Sequence, residues 1–221
     1  MDVSEHQMGC SGFQLKIIAI FAMVLDHCGA ILFPQIEILR YLGRLAFPIF
    51  CFLLVEGFVH THNVRAYEVR LFLFALLSEL PFDLAFYQTF FYWEHQNVFF
   101  TLFLGLLLLD CLTYCKKEWI QFLMIIGILA VAIGIKCDYD AMGILFILIF
   151  YFMRKNKAKK LLLFSAANFI GCGFQPQQAA ASLSIIPLWL YNGKKGPSMT
   201  WFFYLFYPLH LLILYSILQY S

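Results

Sequence analysis

Long apolar runs separated by short polar interruptions fill almost the whole chain. A membrane-crossing helix needs about 20 mostly apolar residues. On that measure the pattern predicts helices at roughly 15–33, 42–60, 67–90, 97–115, 118–135, 140–153, 160–174, 178–191 and 200–219. The interruptions fall at Pro34, at Asn63 and Arg65, at Trp93-Glu94-His95, at Lys116-Lys117, from Lys136 to Tyr139, from Arg154 to Lys160, at Gln175-Pro176-Gln177 and from Asn192 to Ser198. The sixth to eighth runs are short for a span. Short turns make neighbouring helices antiparallel. The expected fold is an all-α polytopic membrane protein, a compact bundle of about nine transmembrane helices. Residues 1–14 form a short polar segment ahead of a single helical domain over 15–221.

Composition strengthens this picture. The chain of 221 residues is 62% hydrophobic and 13% charged, with 26 Phe and 12 Tyr. Soluble domains carry about 25% charged residues, so the lipid bilayer is the expected surroundings and nucleic acid is not an expected partner. The run after Lys16 is too long for a signal-peptide core and lacks a small-residue cleavage site, so it is read as the first span. Seven cysteines are scattered without a C-x-x-C pair and read as small apolar fillers rather than a disulfide framework.

The net charge of +2 matters less than its distribution. If turns alternate between faces, one face receives Lys16, Arg65, Arg70, Lys116, Lys117, Arg154, Lys155, Lys157, Lys159, Lys160, Lys194 and Lys195. The other receives only Arg40, Arg44 and Lys136. Basic residues stay in the cytoplasm, which puts the N-terminus inside and, with nine spans, the C-terminus outside. Aromatic clusters such as Phe90-Phe91-Tyr92-Trp93 and Trp201-Phe202-Phe203-Tyr204 read as interfacial belts.

Against this apolar background the ionisable residues stand out. An ionisable side chain at the bilayer centre costs about 2.5–3.5 kcal/mol on insertion scales and marks a functional site by default. Asp26 and His27 lie side by side in the first span, roughly 16 Å from its basic edge; Glu79 lies roughly 18 Å into the third and His210 roughly 15 Å into the last. These groups share one level and are expected to face one another. Glu56 and Asp110 form a shallower level. In the hairpin of the first two spans, facing residues keep a nearly constant index sum, which pairs Asp26 with Arg44 and Lys16 with Glu56. Adjacent helical residues point about 100° apart. Asp26 then serves as a structural tie to Arg44, and His27 is left free for chemistry. Pro81 is expected to kink the third helix and free a carbonyl that Glu79 could serve. His60 and His62 lack a third metal ligand, and no metal site is expected.

Several stretches together resemble one family. They are Leu25-Asp26-His27-Cys28-Gly29, Gly43-Arg44-Leu45-Ala46-Phe47-Pro48-Ile49-Phe50 with Glu56-Gly57-Phe58, Ser78-Glu79-Leu80-Pro81-Phe82-Asp83, Gln96-Asn97-Val98, Tyr191-Asn192-Gly193-Lys194-Lys195-Gly196 and Tyr204-Leu205-Phe206-Tyr207-Pro208-Leu209-His210. In this order they resemble the TraX family of conjugal-transfer membrane proteins, and more distantly the multispan membrane acyltransferases. The resemblance implies an acetyltransferase of the bacterial inner membrane, with acetyl-coenzyme A as donor and a pilin-like peptide, another small molecule or a glycan as acceptor. It implies His27 as catalytic base, with Asp26, Arg44 and Glu79 around it. An imidazole suits that role because its pKa lies near the working pH. Cys28, beside the base, leaves an acyl-cysteine intermediate open. The donor's phosphates need cations on the cytoplasmic side. The glycine-flanked turn of Asn192, Lys194 and Lys195 offers them, Arg65 and Arg70 are second candidates, and His210 is placed with this donor-binding set. A homodimer stays open. Two other functions would also use a polar layer or a polytopic bundle: a proton-coupled transporter, and a non-catalytic component of a transfer or secretion system.

Overall fold

Ser11 and Gln14 start the first helix. The Ser11 hydroxyl accepts from the Gln14 N–H at 3.3 Å and the Gln14 side chain accepts from the Ser11 N–H at 2.8 Å, a capping box. The computed structural model describes residues 9–171 and 175–220. All of its regular elements are helical. In chain order they are α1 (Gly12–Ile31), α2 (Glu37–Gly43), α3 (Ala46–His60), α4 (Val64–Tyr87), α5 (Val98–Tyr114), α6 (Glu118–Gly134), α7 (Asp140–Phe152), α8 (Lys157–Gly171), α9 (Pro176–Ala179), a 3-10 turn (Ala180–Ser184), α10 (Ile185–Trp189) and α11 (Thr200–Tyr220). The expected eight residues ahead of Gly9, the end of the seventh run at 172–174 and residue 221 lie outside the described residues.

Three stretches are long and apolar enough to cross a membrane: Gly12–Ile31, Glu37–His60 (α2 and α3 together) and Thr200–Tyr220. Helices α5, α6 and α7 are apolar but shorter. The chain is thus an all-helical, membrane-associated bundle. Ring and close contacts give the directions of its helices. Phe13 meets Phe203 at 6.1 Å and His27 meets His210 at 4.9 Å, so α1 and α11 run parallel. Phe47 lies against Tyr139 and Phe52 against Phe150, so α3 and α7 also run parallel. Asn97, at the start of α5, bonds the Ala75 carbonyl at 2.8 Å, while Phe72 meets Phe103 at 5.1 Å, so α4 and α5 are antiparallel.

The first hairpin closes tightly because glycines stand where backbones meet. A Cβ on Gly43 would lie 2.5 Å from the Asp26 Cα, and one on Gly29 would lie 2.8 Å from the Leu39 Cβ. Farther from the turn, Gly12 faces Leu53. The helix is broken at Arg44 and Leu45 between α2 and α3, and the register has slipped by about one helical turn. That slip removes the expected Lys16–Glu56 pair. Glu56 instead accepts from the Tyr191 hydroxyl at 3.0 Å, and the Lys16 ammonium sits 5.0 Å over the Phe203 ring.

The expected single helix over 178–191 is three short pieces. The Asn168 amide donates to the carbonyls of Gln178 at 3.1 Å and Ala179 at 3.4 Å, where the first piece ends. Pro187 supplies no N–H to a helical ladder. By contrast, α4 continues through Pro81 to Tyr87, and Gln88 ends it in the left-handed conformation with φ 55°.

The bundle is tied at both ends. At the basic end, backbone bonds lace residues 10–13 to 190–195: Cys10 N–H to the Leu190 carbonyl at 2.8 Å, Gly12 N–H to Lys194 at 2.7 Å and Phe13 N–H to Lys195 at 3.0 Å. The carbonyls of the glycine turn thereby take up free N–H groups of the first turn of α1. At the other end, the loops 88–97 and 135–139 zip together through Gln96 N–H to the Lys136 carbonyl at 3.0 Å and Asp138 N–H to the Gln96 carbonyl at 2.9 Å. Lys136 pairs with Glu94, and Tyr87 bonds His95 at 2.6 Å. Lys136, Tyr139 and Asp140 all have positive φ, of 54°, 66° and 41°. Such conformations are costly for non-glycine residues, and the ties between the two loops hold them.

Candidate functional site

The hairpin contact between Gly43 and Asp26 brings two arginines onto one carboxylate. Arg40 Nη1 donates to Asp26 Oδ2 at 2.7 Å and to its main-chain carbonyl at 3.1 Å. Arg44 Nε lies 3.8 Å from Asp26 Oδ1. The expected Asp26–Arg44 tie is present, but Arg40 is the nearer partner. Arg40 belongs to α2, a helix that begins five residues before the expected start of the second span.

One residue on, His27 is buried and turned away from Asp26. Its Nδ1 lies 2.7 Å from Nε2 of His210, with the two rings nearly parallel at 9°. Phe86 and Tyr207 meet the His27 ring edge-on, at 5.3 and 6.0 Å. His210 is in turn oriented by its own helix. Its Nδ1 lies 2.8 Å from the Phe206 carbonyl, and its ring stacks on that of Phe206 at 5.2 Å.

This chain of contacts fixes the protons. A carbonyl only accepts, so His210 Nδ1 carries hydrogen. With both rings neutral, His210 Nε2 is bare and accepts from His27 Nδ1–H. His27 Nε2 is then left with its lone pair. The arrangement presents an oriented base, with the second histidine in the role that a carboxylate plays in a hydrolase triad.

His27 lines a cavity of about 50 Å³, with Asp26, Arg44, Phe47, Asp138, Tyr139 and Tyr207 among its walls. The space suits a few waters or an acetyl-sized group. Two polar atoms there, Asp26 Oδ1 and Arg44 Nε, have no hydrogen-bond partner among the described residues. The walls come from α1, α2, α3, the start of α5, α11 and the loop ahead of α7. That loop's contribution, Asp138 and Tyr139, lies outside the residues singled out from sequence, although the acid-flanked tyrosine between positions 138 and 140 was its visible sign.

Glu79 does not join this cavity. Its carboxylate accepts from the Asn97 side chain and from the Asn97 N–H at 3.3 Å. Asn97 also caps α5 by accepting from the Phe99 N–H at 3.0 Å. Glu79 therefore ties the start of α5 to α4, and the expected four-group layer reduces to Asp26, His27 and His210. The nearby Asp83 accepts from the Tyr92 N–H at 2.9 Å.

The other expected contacts lie at the basic end. Lys194 and Lys195 are exposed, and the Lys194 N–H is already held by the Asn192 side chain at 3.0 Å. The turn thus offers ammonium groups rather than that backbone donor. Arg65 is exposed at the start of α4, while Arg70 turns over the Tyr67 ring at 5.7 Å. Cys28 is half-buried beside His27. His210, placed with the donor contacts from sequence, is instead the hydrogen-bond partner of His27.

Outside the helices, His95 lies 3.5 Å from Asp138. The bond to that carboxylate raises the His95 pKa above its ordinary value, against the opposing effect of burial.

A helical, membrane-associated bundle whose first and last helices are joined by a histidine pair, one member of which lines a small cavity, defines the class of this chain. Comparison with known proteins makes it specific. The model of the TraX protein family matches residues 11–218, and the chain belongs to that family. It is 34% identical over 235 aligned positions to a probable fimbrial assembly protein FimC, serogroup H1, of Dichelobacter nodosus, covering 93% of this chain and 95% of that one. It is 27% identical over 125 positions to an uncharacterized protein of Rickettsia prowazekii (strain Madrid E), covering 57% of this chain and 45% of that one. No solved structure matches significantly.

Proposed function

We propose that this chain is an integral membrane acetyltransferase that moves an acetyl group from acetyl-coenzyme A to an amine or hydroxyl acceptor, with His27 as general base. The observation that carries the reading is the 2.7 Å contact between His27 Nδ1 and His210 Nε2, with His210 held by the Phe206 carbonyl. It leaves His27 Nε2 as an unprotonated nitrogen on a residue that lines a small polar cavity.

The steps follow from these groups. The acceptor, as a neutral amine or a hydroxyl, attacks the thioester carbonyl carbon, and its proton passes to His27 Nε2. The imidazolium so formed keeps its Nδ1–H on His210 Nε2. When the carbon–sulfur bond breaks, the electron pair leaves with sulfur, and His27 returns the proton to the thiolate. Asp26 does not touch His27 in this scheme. It holds Arg40 and Arg44 in place and so sets the charge balance of the cavity wall.

The chain is read as crossing the inner membrane nine times with its N-terminus in the cytoplasm. The parallel directions of α1 with α11 and of α3 with α7 support that reading, as does the one-sided distribution of Lys and Arg. Lys16, Lys194 and Lys195 then gather at the cytoplasmic end. They are suited to the donor's phosphates. The name of the Dichelobacter relative places that protein in fimbrial assembly. Carried over, this favours a pilus-type peptide as acceptor over a glycan.

The test is coenzyme A binding to the detergent-purified protein, measured by calorimetry. Binding that weakens about tenfold or more when Lys194 and Lys195 are both changed to alanine is expected from the loss of charge-assisted contacts. Absence of any binding, together with proton movement in sealed vesicles, would replace the enzyme by a proton-coupled transporter.

A further inference from the structure

Tyr139 occupies an expensive position. It sits ahead of α7 with φ 66°, followed by Asp140 with φ 41°. Left-handed conformations of this kind persist where the surroundings over-determine them, and they gather at functional sites. Here the surroundings do two things. They stack the ring on Phe47, with centroids 3.7 Å apart and planes at 12°. They also bring the hydroxyl under Arg44, whose Nη1 donates to Tyr139 Oη at 3.2 Å.

That contact uses the oxygen only as an acceptor. The hydroxyl has its own proton to give, and among the described residues no hydrogen bond takes it up. Burial raises the pKa of this phenol against the pull of Arg44, so the proton stays on. Tyr139 and Arg44 line the same cavity as His27, and two further cavity atoms, Asp26 Oδ1 and Arg44 Nε, 3.8 Å apart, make no hydrogen bond. The cavity therefore has a base on one wall and a cation-polarised hydroxyl on another.

Resting on the acetyltransferase reading above, we propose that the Tyr139 hydroxyl, polarised by Arg44, stabilises the oxyanion formed during acetyl transfer. When the acceptor attacks the thioester carbon, the carbonyl π electrons move to oxygen. Tyr139 O–H donates a hydrogen bond to that oxygen while its own oxygen keeps the bond from Arg44. No proton leaves Tyr139. The oxyanion collapses as the carbon–sulfur bond breaks, and the original hydrogen bonding returns. Charge develops on the oxygen only in the transition state, so the contact lowers the barrier without tightening donor binding.

The experiment is steady-state acetyl transfer by the full chain in detergent, comparing wild type with Tyr139→Phe. Loss of one such donor lowers kcat by about 10²–10³. KM for acetyl-coenzyme A stays within about twofold, because the interaction is absent from the ground state. If Tyr139→Phe fails to fold, fluorinated tyrosines at position 139 serve instead: they keep the ring and the hydroxyl while making it more acidic. In that series kcat follows hydroxyl acidity. An active wild type with an equally active, folded Tyr139→Phe, or a kcat that is flat across the fluorotyrosines, overturns this inference alone. A wild type that transfers no acetyl group overturns the acetyltransferase reading and this inference with it.

Discussion

Nδ1 of His27 lies 2.7 Å from Nε2 of His210, across the contact between the first and last helices. The Phe206 carbonyl then fixes which ring donates. His210→Phe should keep the stack and lose the acceptor that orients His27. Acetyl transfer is expected to fall by about 10², less than for loss of the base itself. Unchanged kcat in a folded His210→Phe would contradict the orienting role.

The hairpin predicts a contrast between two glycines. Gly43→Ala drives a methyl onto the Asp26 backbone at 2.5 Å. Neither helix can yield without moving apart, so a loss of about 1–3 kcal/mol is expected. A methyl on Gly105 meets the Ile147 side chain, its Cδ1 first and its two Cγ atoms at 3.4 Å, and a side-chain end yields more readily than a backbone. Thermal midpoints in detergent should drop clearly for Gly43→Ala and little for Gly105→Ala; equal drops would contradict the register described for the first hairpin.

Asp26 is held by two guanidinium groups and balances both. Asp26→Ala leaves two partly buried cations without their carboxylate, which costs about 3 kcal/mol. Arg40→Gln removes the 2.7 Å bond and should destabilise more than Arg44→Gln, whose Nε stands 3.8 Å away. Denaturation midpoints of the three variants check the order. A larger loss for Arg44→Gln than for Arg40→Gln would show that the nearer contact is not the stronger one.

The contact between the loops 88–97 and 135–139 makes stability pH-dependent. The Asp138 carboxylate raises the folded-state pKa of His95 above its usual value. The folded protein therefore holds the His95 proton more tightly than the unfolded chain. This contribution is fully present below about pH 6.5 and is lost as pH rises through the higher folded value. The melting midpoint should fall across that window in wild type and less in His95→Gln. An identical pH dependence in both would contradict the pairing.

Much of this architecture can be read from the sequence because its signals are strong and local. The spacing of apolar runs located most of the helices, though the second run is two helices and the run over 178–191 is three short pieces, and the shared level of His27 and His210 anticipated their contact. What escaped was set by backbone detail. The Ser11 and Gln14 side chains start α1 at Gly12, three residues before the apolar run begins. Glu79 was expected to face His27 from its depth alone, but Asn97 at the start of α5 captures it. The break between α2 and α3 shifts the register enough to keep Lys16 from Glu56, while the close approach of Gly43 to Asp26 brings Arg40 onto that carboxylate. Tyr139 reaches the cavity through left-handed backbone at two non-glycine residues, which the acidic residues on either side of it do not by themselves announce.

We propose His27 as the base of the acetyl transfer. The direct measurement incubates detergent-purified protein with labelled acetyl-coenzyme A and follows hydrolysis, protein labelling and transfer to an amine acceptor. The wild type should consume the donor, and a folded His27→Ala should be slower by about 10²–10⁴, the contribution of a positioned general base. Donor consumption and transfer unchanged in His27→Ala would contradict it.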